Sequence, residues 1–206
     1  MANVVLLGAS KYALEVARYV RDAGHTIDHF LALEGEDVVI PEGQWSGISR
    51  NALAEGREVV LAVSDMERRA EIVREYVEAW NLDAINVVHP SSTIEDGALR
   101  GVGNIIGPDN YIGVNATFDS FNVLNYRSSI GHHSQVGSMN FISPNFHTGN
   151  TVTIGSGNFF GVGCQMAPSV TVGNDCRIQA GLTLFEDAVD GRSYLAPSRI
   201  KSLPNH

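Results

Sequence analysis

The chain has 206 residues, 44% of them hydrophobic and 18% charged, which suits one or two domains with a buried core and excludes a disordered polymer. Fourteen basic side chains against twenty-three acidic ones give a net charge of −9, and only Lys11 and Lys201 are lysines. That balance argues against a nucleic-acid partner, whose recognition needs clustered cations to displace counterions from phosphates. No apolar run approaches the ~20 residues that span a bilayer, and no basic stretch with a following apolar segment and cleavage site opens the chain. Two cysteines without a CxxC pair offer neither a disulfide framework nor a zinc site, so no metal is expected. The composition is that of a cytoplasmic globular protein.

Residues 1–90 read as strands alternating with helices. Val4–Leu7 is an apolar run broken at Gly8, and a helical pattern follows through Leu14, Val16, Ala17 and Val20 to a stop at Gly24. Ile27–Leu33 and Val59–Val63 are the next two strands. Ser64-Asp65-Met66-Glu67 is a capping-box signature with Ser64 at the N-cap, and the helix it opens carries Ile72, Val73, Tyr76, Val77 and Trp80 on one face. Ala84–Val88 is a fourth strand, closed by His89-Pro90. Alternation in this order predicts a small parallel sheet with helices packed on it.

From residue 94 a period of six replaces the helical one. Steps of six from Ile94 to Leu184 meet sixteen residues, fourteen of them large and apolar; Arg100 and Thr148 are the exceptions. Glycine follows nine of the sixteen, against a background of about 7%. The pattern predicts a parallel β-helix with an unbroken register, in which each unit is a two-sided strand and a corner, and glycine sits where a side chain would collide. Three units per coil give a little over five coils, a prism about 25 Å tall. Cys164 and Cys176 occupy the same repeat position and read as buried packing residues. Tyr111, Phe121, Tyr126, Phe141, Phe146 and Phe159 lie outside the inward register, so some of them should point out of the prism.

These segments together resemble one family. Gly8-Ala9-Ser10 after the first strand, Ala62-Val63-Ser64-Asp65 with Arg69 after the third, His89-Pro90-Ser91 at the junction, and Asn125 followed by Ile130-Gly131-His132 are similar in kind and order to bacterial sugar acyltransferases. That family includes sialic acid O-acetyltransferases and N-acetyltransferases of nucleotide-linked amino sugars, within the hexapeptide-repeat left-handed β-helix superfamily. The resemblance implies a Rossmann-like α/β domain over 1–90 that holds the sugar nucleotide. It implies a left-handed β-helix acyltransferase domain with a C-terminal tail over 91–206, acetyl-CoA as acyl donor, and a homotrimer with sites between prisms.

Residue by residue, the resemblance makes His132 the general base. Acyl transfer to an amine or hydroxyl must remove a proton during attack, and imidazole can accept it near neutral pH. An exposed corner histidine without a role is the bland alternative. Asn125 would be a neighbouring polar contact, and His133 stands where the family has an acidic residue that orients the base. Phe141 replaces a histidine near the acyl-CoA, while Thr148 and Asn150 replace an aliphatic residue and a glycine. A backbone amide of the Gly149–Asn150 corner is the candidate oxyanion donor.

Gly8-Ala9-Ser10-Lys11 is a degenerate phosphate-binding turn that opens a helix, with Gly8, Ser10 and Lys11 as contacts for a diphosphate. Its rivals are a purely structural turn and an NAD site with Glu34 near the ribose. Asp65 and Arg69 share that sheet edge and could touch nucleoside or sugar; helix capping is the competing role for Asp65. Arg177, Arg192, Arg199 and Lys201 form a basic group suited to the phosphates of coenzyme A, although each could equally be solvated surface charge. The sequence thus predicts transfer of acetyl to the amino group of a nucleotide-linked deoxyamino sugar. O-acetylation of a sialic-acid-like sugar and non-catalytic sugar-nucleotide binding are the alternatives.

Overall fold

The structure is a computed structural model that describes residues 1–49 and 53–197. The N-terminal part is a five-stranded parallel sheet. Its strands are β1 (Asn3–Leu7), β2 (Thr26–Ala32), β3 (Trp45–Gly47), β4 (Glu58–Leu61) and β5 (Asp83–Ala84), in the order β3-β2-β1-β4-β5. Two helices cover it: α1 (Lys11–Asp22) on one face and α2 (Met66–Ile72), prolonged by a π-helical turn Val73–Glu78, on the other. The capping box expected at Ser64 sits one residue later. Asp65 is the N-cap, and its carboxylate accepts from the Arg68 amide at 2.8 Å. Strand β3 escaped the sequence because Trp-Ser-Gly carries a single apolar residue.

The fourth expected strand, Ala84–Val88, is divided between two structures. Asp83–Ala84 completes the sheet, whereas Val87–Val88 is the first rung of the prism and pairs with Ile105–Ile106. The β-helix therefore begins before His89-Pro90 rather than after it. It has three parallel faces of seven, six and four strands, here called the first, second and third in the order the chain visits them. Each rung pairs with the residues of the next coil, as Leu124 with Ile142 and Ile142 with Phe160. The prism continues past Leu184 to a last rung at Ser193–Tyr194.

The six-residue register holds with one slip. Ile106, Leu124, Ile142, Phe160 and Ile178 stack inside the prism beside Phe118, Ile130, Val136 and Ile154. At Arg100, however, the side chain is exposed and Leu99 bridges to Phe118 in its place. An unpaired guanidinium cannot be buried among these aliphatic groups, so the chain shifts by one residue and puts the leucine inside. Thr148, the other polar member, is accommodated differently: its hydroxyl accepts from the Gly131 amide at 2.9 Å. Cys164 and Cys176 lie in the core as free thiols, and burial pushes the Cys164 thiol up.

An asparagine ladder runs up the corner between the third and first faces. The side-chain oxygen of Asn104 accepts from the backbone amide of Asn122 at 2.9 Å, Asn122 does the same for Asn140, and Asn140 for Asn158. Each link spans eighteen residues and the four residues are fully buried. The ladder satisfies corner amides that no strand pairing reaches.

The first face carries the N-terminal domain. Val87, Ile105, Val123, Phe141 and Phe159 project outward from it and pack with Ala13, Val16, Tyr19 and Val20 of α1. The expectation of outward aromatics is therefore met only in part. Phe141 and Phe159 do face out, stacked at 5.9 Å, but pack into the apolar layer between the prism and the N-terminal part of the same chain. Phe146 points into the prism against Phe160, and Phe121 is half-buried against the α2 side of the domain. Only Tyr111 and Tyr126 of the six are exposed.

Candidate active site

The corner between the second and third faces collects the polar chemistry. Residues 113–116, 131–134 and 149–152 are successive rungs of this edge, and His132 and His133 are both exposed on the middle one. The chain turns at His133, whose φ of 59° is left-handed. That turn sets the two imidazoles edge to face, with Nδ1 of His132 2.9 Å from Nδ1 of His133. The amide of Asn150, one coil on, approaches Nε2 of His132 at 3.2 Å. On the other side, the amide of Asn115 lies 3.1 Å from Nε2 of His133. Four side chains from three coils thus form one hydrogen-bonded row. Gly131 is required on this rung, because a Cβ there would collide with the Gly149 carbonyl oxygen of the next coil.

Other residues expected near His132 do not join it. Asn125 is buried in the prism wall, where its side-chain amide donates to the Ile142 carbonyl at 3.0 Å. Phe141 is closed off beneath α1, in ring contact with Tyr12, so it has no surface for an acyl-CoA. The Gly149 amide is committed to the Met166 carbonyl at 2.8 Å. Arg199 and Lys201 lie outside the described residues. Arg177 is half-buried at the end of the first face, donating to the Gly157 carbonyl at 2.9 Å. With Met66, Glu67, Met139 and Ser156 it lines a groove between α2 and the upper coils.

A second pocket opens at the carboxyl edge of the parallel sheet, lined by Ser10, Glu34, Glu36, Ser64, Asp65 and Arg68. Gly8 is required at this edge: its φ is +126°, and a Cβ would lie 2.7 Å from the Ala62 carbonyl. The amides of Ala9 and Ser10 already have an anion, since Glu36 accepts from both at 2.9 Å through one carboxylate oxygen. Its other oxygen accepts from the Leu33 amide at 3.0 Å. Lys11 is exposed at the first turn of α1. Arg69 departs from its expected role, because it is fully buried and its guanidinium donates to the carbonyls of Val63 and Phe121 at 2.8 and 2.9 Å. It clamps α2 to the prism instead of facing a ligand. Desolvation holds its pKa below the usual arginine value and raises that of the buried Tyr12 hydroxyl. Arg68, which the sequence reading passed over, is the cation that lines the pocket.

The two halves of the expected chemistry lie far apart within one chain. The N-terminal domain covers the first face, and His132 stands on the corner opposite that face. No helix among the described residues is long and apolar enough to cross a membrane. Among the described residues no group of three His, Cys, Asp or Glu side chains could hold a metal ion.

Residues 151–186 match the family model "hexapeptide repeat of succinyl-transferase". No curated protein matches the chain by sequence. Among solved structures, a perosamine N-acetyltransferase from Caulobacter crescentus, in complex with CoA and GDP-perosamine, superposes with a TM-score of 0.79 at 21% identity, covering 98% of each chain. The acetyltransferase domain of PglB from Neisseria gonorrhoeae, in complex with acetyl coenzyme A, gives 0.77 at 20% identity over 93% of this chain and 94% of that one. WeeI from Acinetobacter baumannii gives 0.78 at 16% identity over 98% and 100%. The chain shares the fold of these proteins from end to end, and its upper coils carry the hexapeptide repeat.

Proposed function

We propose that this protein is an acetyl-CoA-dependent transferase that acetylates the amino group of a nucleotide-linked deoxyamino sugar. The observation that carries the reading is His132. It is an exposed imidazole on a prism corner, held by Asn150 of the next coil, in a chain whose whole fold is that of a perosamine N-acetyltransferase. In this reading, Nε2 of His132 takes the proton as the amine attacks the thioester carbonyl, and the thiolate of coenzyme A leaves. With the Gly149 amide engaged, the Asn150 backbone amide is the donor left at that corner for the oxyanion. The pocket of Ser10, Glu34, Asp65 and Arg68 takes the sugar nucleotide, and left-handed winding of the prism and a Rossmann-like N-terminal domain belong to the same reading.

Because His132 and that pocket lie on opposite sides of one prism, the reading requires a site shared between subunits of a homotrimer. The pocket of one protomer then presents the sugar to the corner of its partner. The test is thiol release from acetyl-CoA with a panel of nucleotide-linked amino sugars and sialic acids. Turnover with an amino sugar, reduced ~10²–10⁴-fold in kcat by His132→Ala, is the expected result. Turnover with a hydroxyl acceptor alone would replace it by O-acetylation, and sugar-nucleotide binding without thiol release by a binding protein.

A further inference from the structure

We infer that the acceptor's nucleotide is a ribonucleotide, whose 2′-hydroxyl is read by Glu34 and whose base lies in a cleft against Trp45. This rests on the pocket of Ser10 and Arg68 being the sugar-nucleotide site. That pocket does not end at Glu34. A further cleft lies on the far side of this residue, lined by Val38, Trp45, Gly47, Ile48 and Tyr76, and Leu33, Glu34 and Glu36 form the wall common to both. The sheet order explains the arrangement, because β3, β2, β1 and β4 stand side by side. Asp65 and Arg68 follow β4, Ser10 follows β1, Glu34 follows β2, and Trp45 and Gly47 belong to β3. Strands lie about 4.8 Å apart, so the step from the β1 turn across to β3 is about 10 Å. A diphosphate reaches its base, with one ribose between them, over a similar distance.

That order fixes the direction of the ligand. Arg68 is the cation lining the pocket and takes the diphosphate. Glu34 cannot take it, because a carboxylate repels phosphate and can only accept hydrogen. Its side chain is exposed and meets no donor among the described residues. A ribose offers two neighbouring hydroxyls to the two carboxylate oxygens, whereas a 2′-deoxyribose offers one. In dinucleotide folds an acidic residue after the second strand accepts from the ribose 2′-hydroxyl in the same way. Glu36, the other carboxylate of the shared wall, is already held by the amides of Ala9, Ser10 and Leu33, so reading the ribose falls to Glu34. Beyond the ribose, the half-buried Trp45 supplies an aromatic surface for the base.

Calorimetry on the full chain with UDP, GDP and their 2′-deoxy counterparts tests this without any turnover, and the comparison is made with whichever base binds. The ribonucleotide should bind about tenfold more tightly than its 2′-deoxy form, the effect of one hydrogen bond to a charged acceptor. Glu34→Ala should close that gap to within about twofold, while affinity for the 2′-deoxy form stays within about threefold of the natural chain's. A misfolded variant would lose both. Trp45→Leu keeps apolar bulk but not the flat ring, so it should weaken both forms about tenfold and leave the gap intact. Equal affinity of the natural chain for the two forms, or a gap that survives Glu34→Ala, would overturn the reading of the ribose. Unchanged affinity in Trp45→Leu would overturn the placement of the base. A natural chain that binds no nucleoside diphosphate would instead overturn the sugar-nucleotide reading of the pocket.

Discussion

One carboxylate oxygen of Glu36 lies 2.9 Å from the amide nitrogen of Ser10, and equally from that of Ala9, so the turn before α1 is filled by the protein's own anion. A diphosphate cannot use those amides while Glu36 holds them. It must lie further out, toward Arg68, or displace the side chain.

Glu36→Gln separates charge from structure. The glutamine oxygen can still accept from Ala9 and Ser10, but its NH₂ cannot accept from Leu33. Stability should fall by ~1 kcal/mol, a drop in Tm of about 2–4 °C for a chain of this length. Nucleoside diphosphates should bind about 3–10-fold more tightly, because one unit of negative charge leaves a partly screened pocket. Calorimetry that found weaker binding would make Glu36 a ligand contact rather than a competitor.

Arg68 and Arg69 should behave in opposite ways. Arg68 lines the pocket with a half-exposed side chain, so Arg68→Ala should weaken sugar-nucleotide binding by roughly tenfold and leave Tm almost unchanged. Arg69 is buried and holds two carbonyls, so Arg69→Met should cost about 1–3 kcal/mol in urea unfolding and leave affinity within about threefold. A pure affinity loss in Arg69→Met would restore it to the binding site.

The asparagine ladder can be tested at its middle. Asn122 accepts from both the backbone and the side-chain amide of Asn140, at 2.9 and 3.0 Å. Asn122→Leu leaves the backbone N–H of Asn140 buried and unpaired, while its side-chain amide keeps the carbonyls of Gly137 and Gly155, and stability should fall by ~1–3 kcal/mol. Urea midpoints would show it, and a change within ~0.5 kcal/mol would mean that the ladder adds nothing beyond strand pairing.

The prism was legible because its signal repeats: an inward aliphatic every six residues and glycine beside it leave no other regular structure. The ladder was equally periodic, at eighteen residues from Asn104 to Asn158, but asparagine elsewhere in the chain hid it. The sequence also placed His132, His133 and Asn150 on one edge, since residues eighteen apart stack. What it could not place were side chains whose surroundings depend on the docking of two domains. Phe141 read as a ligand contact because it stands where the resembling family has a histidine near the acyl-CoA, and Arg69 because it shares the sheet edge of Asp65. Packing α1 and α2 against the prism buries both. Glu36 was missed for a related reason, as nothing local links it to a turn twenty-six residues earlier.

Because His132 and the N-terminal pocket lie on opposite sides of one prism, a site shared between protomers can be rebuilt from two inactive variants. Take His132→Ala, which lacks the base, and Ser10→Tyr, whose ring fills the pocket; each alone should be inactive. If a site joins the corner of one protomer to the pocket of the next, co-expressing the two in equal amounts creates sites with an intact corner from one variant and an intact pocket from the other. In a closed threefold ring assembled at random, about a quarter of sites are of this kind, so about a quarter of the natural activity should return. Mixed assemblies with no activity would mean that each chain works alone, and the distance across one prism would then have to be closed by movement of the N-terminal domain. Sedimentation should find the active species near 66 kDa, three chains of 22.2 kDa each. An active species near one chain's mass would exclude the shared site outright.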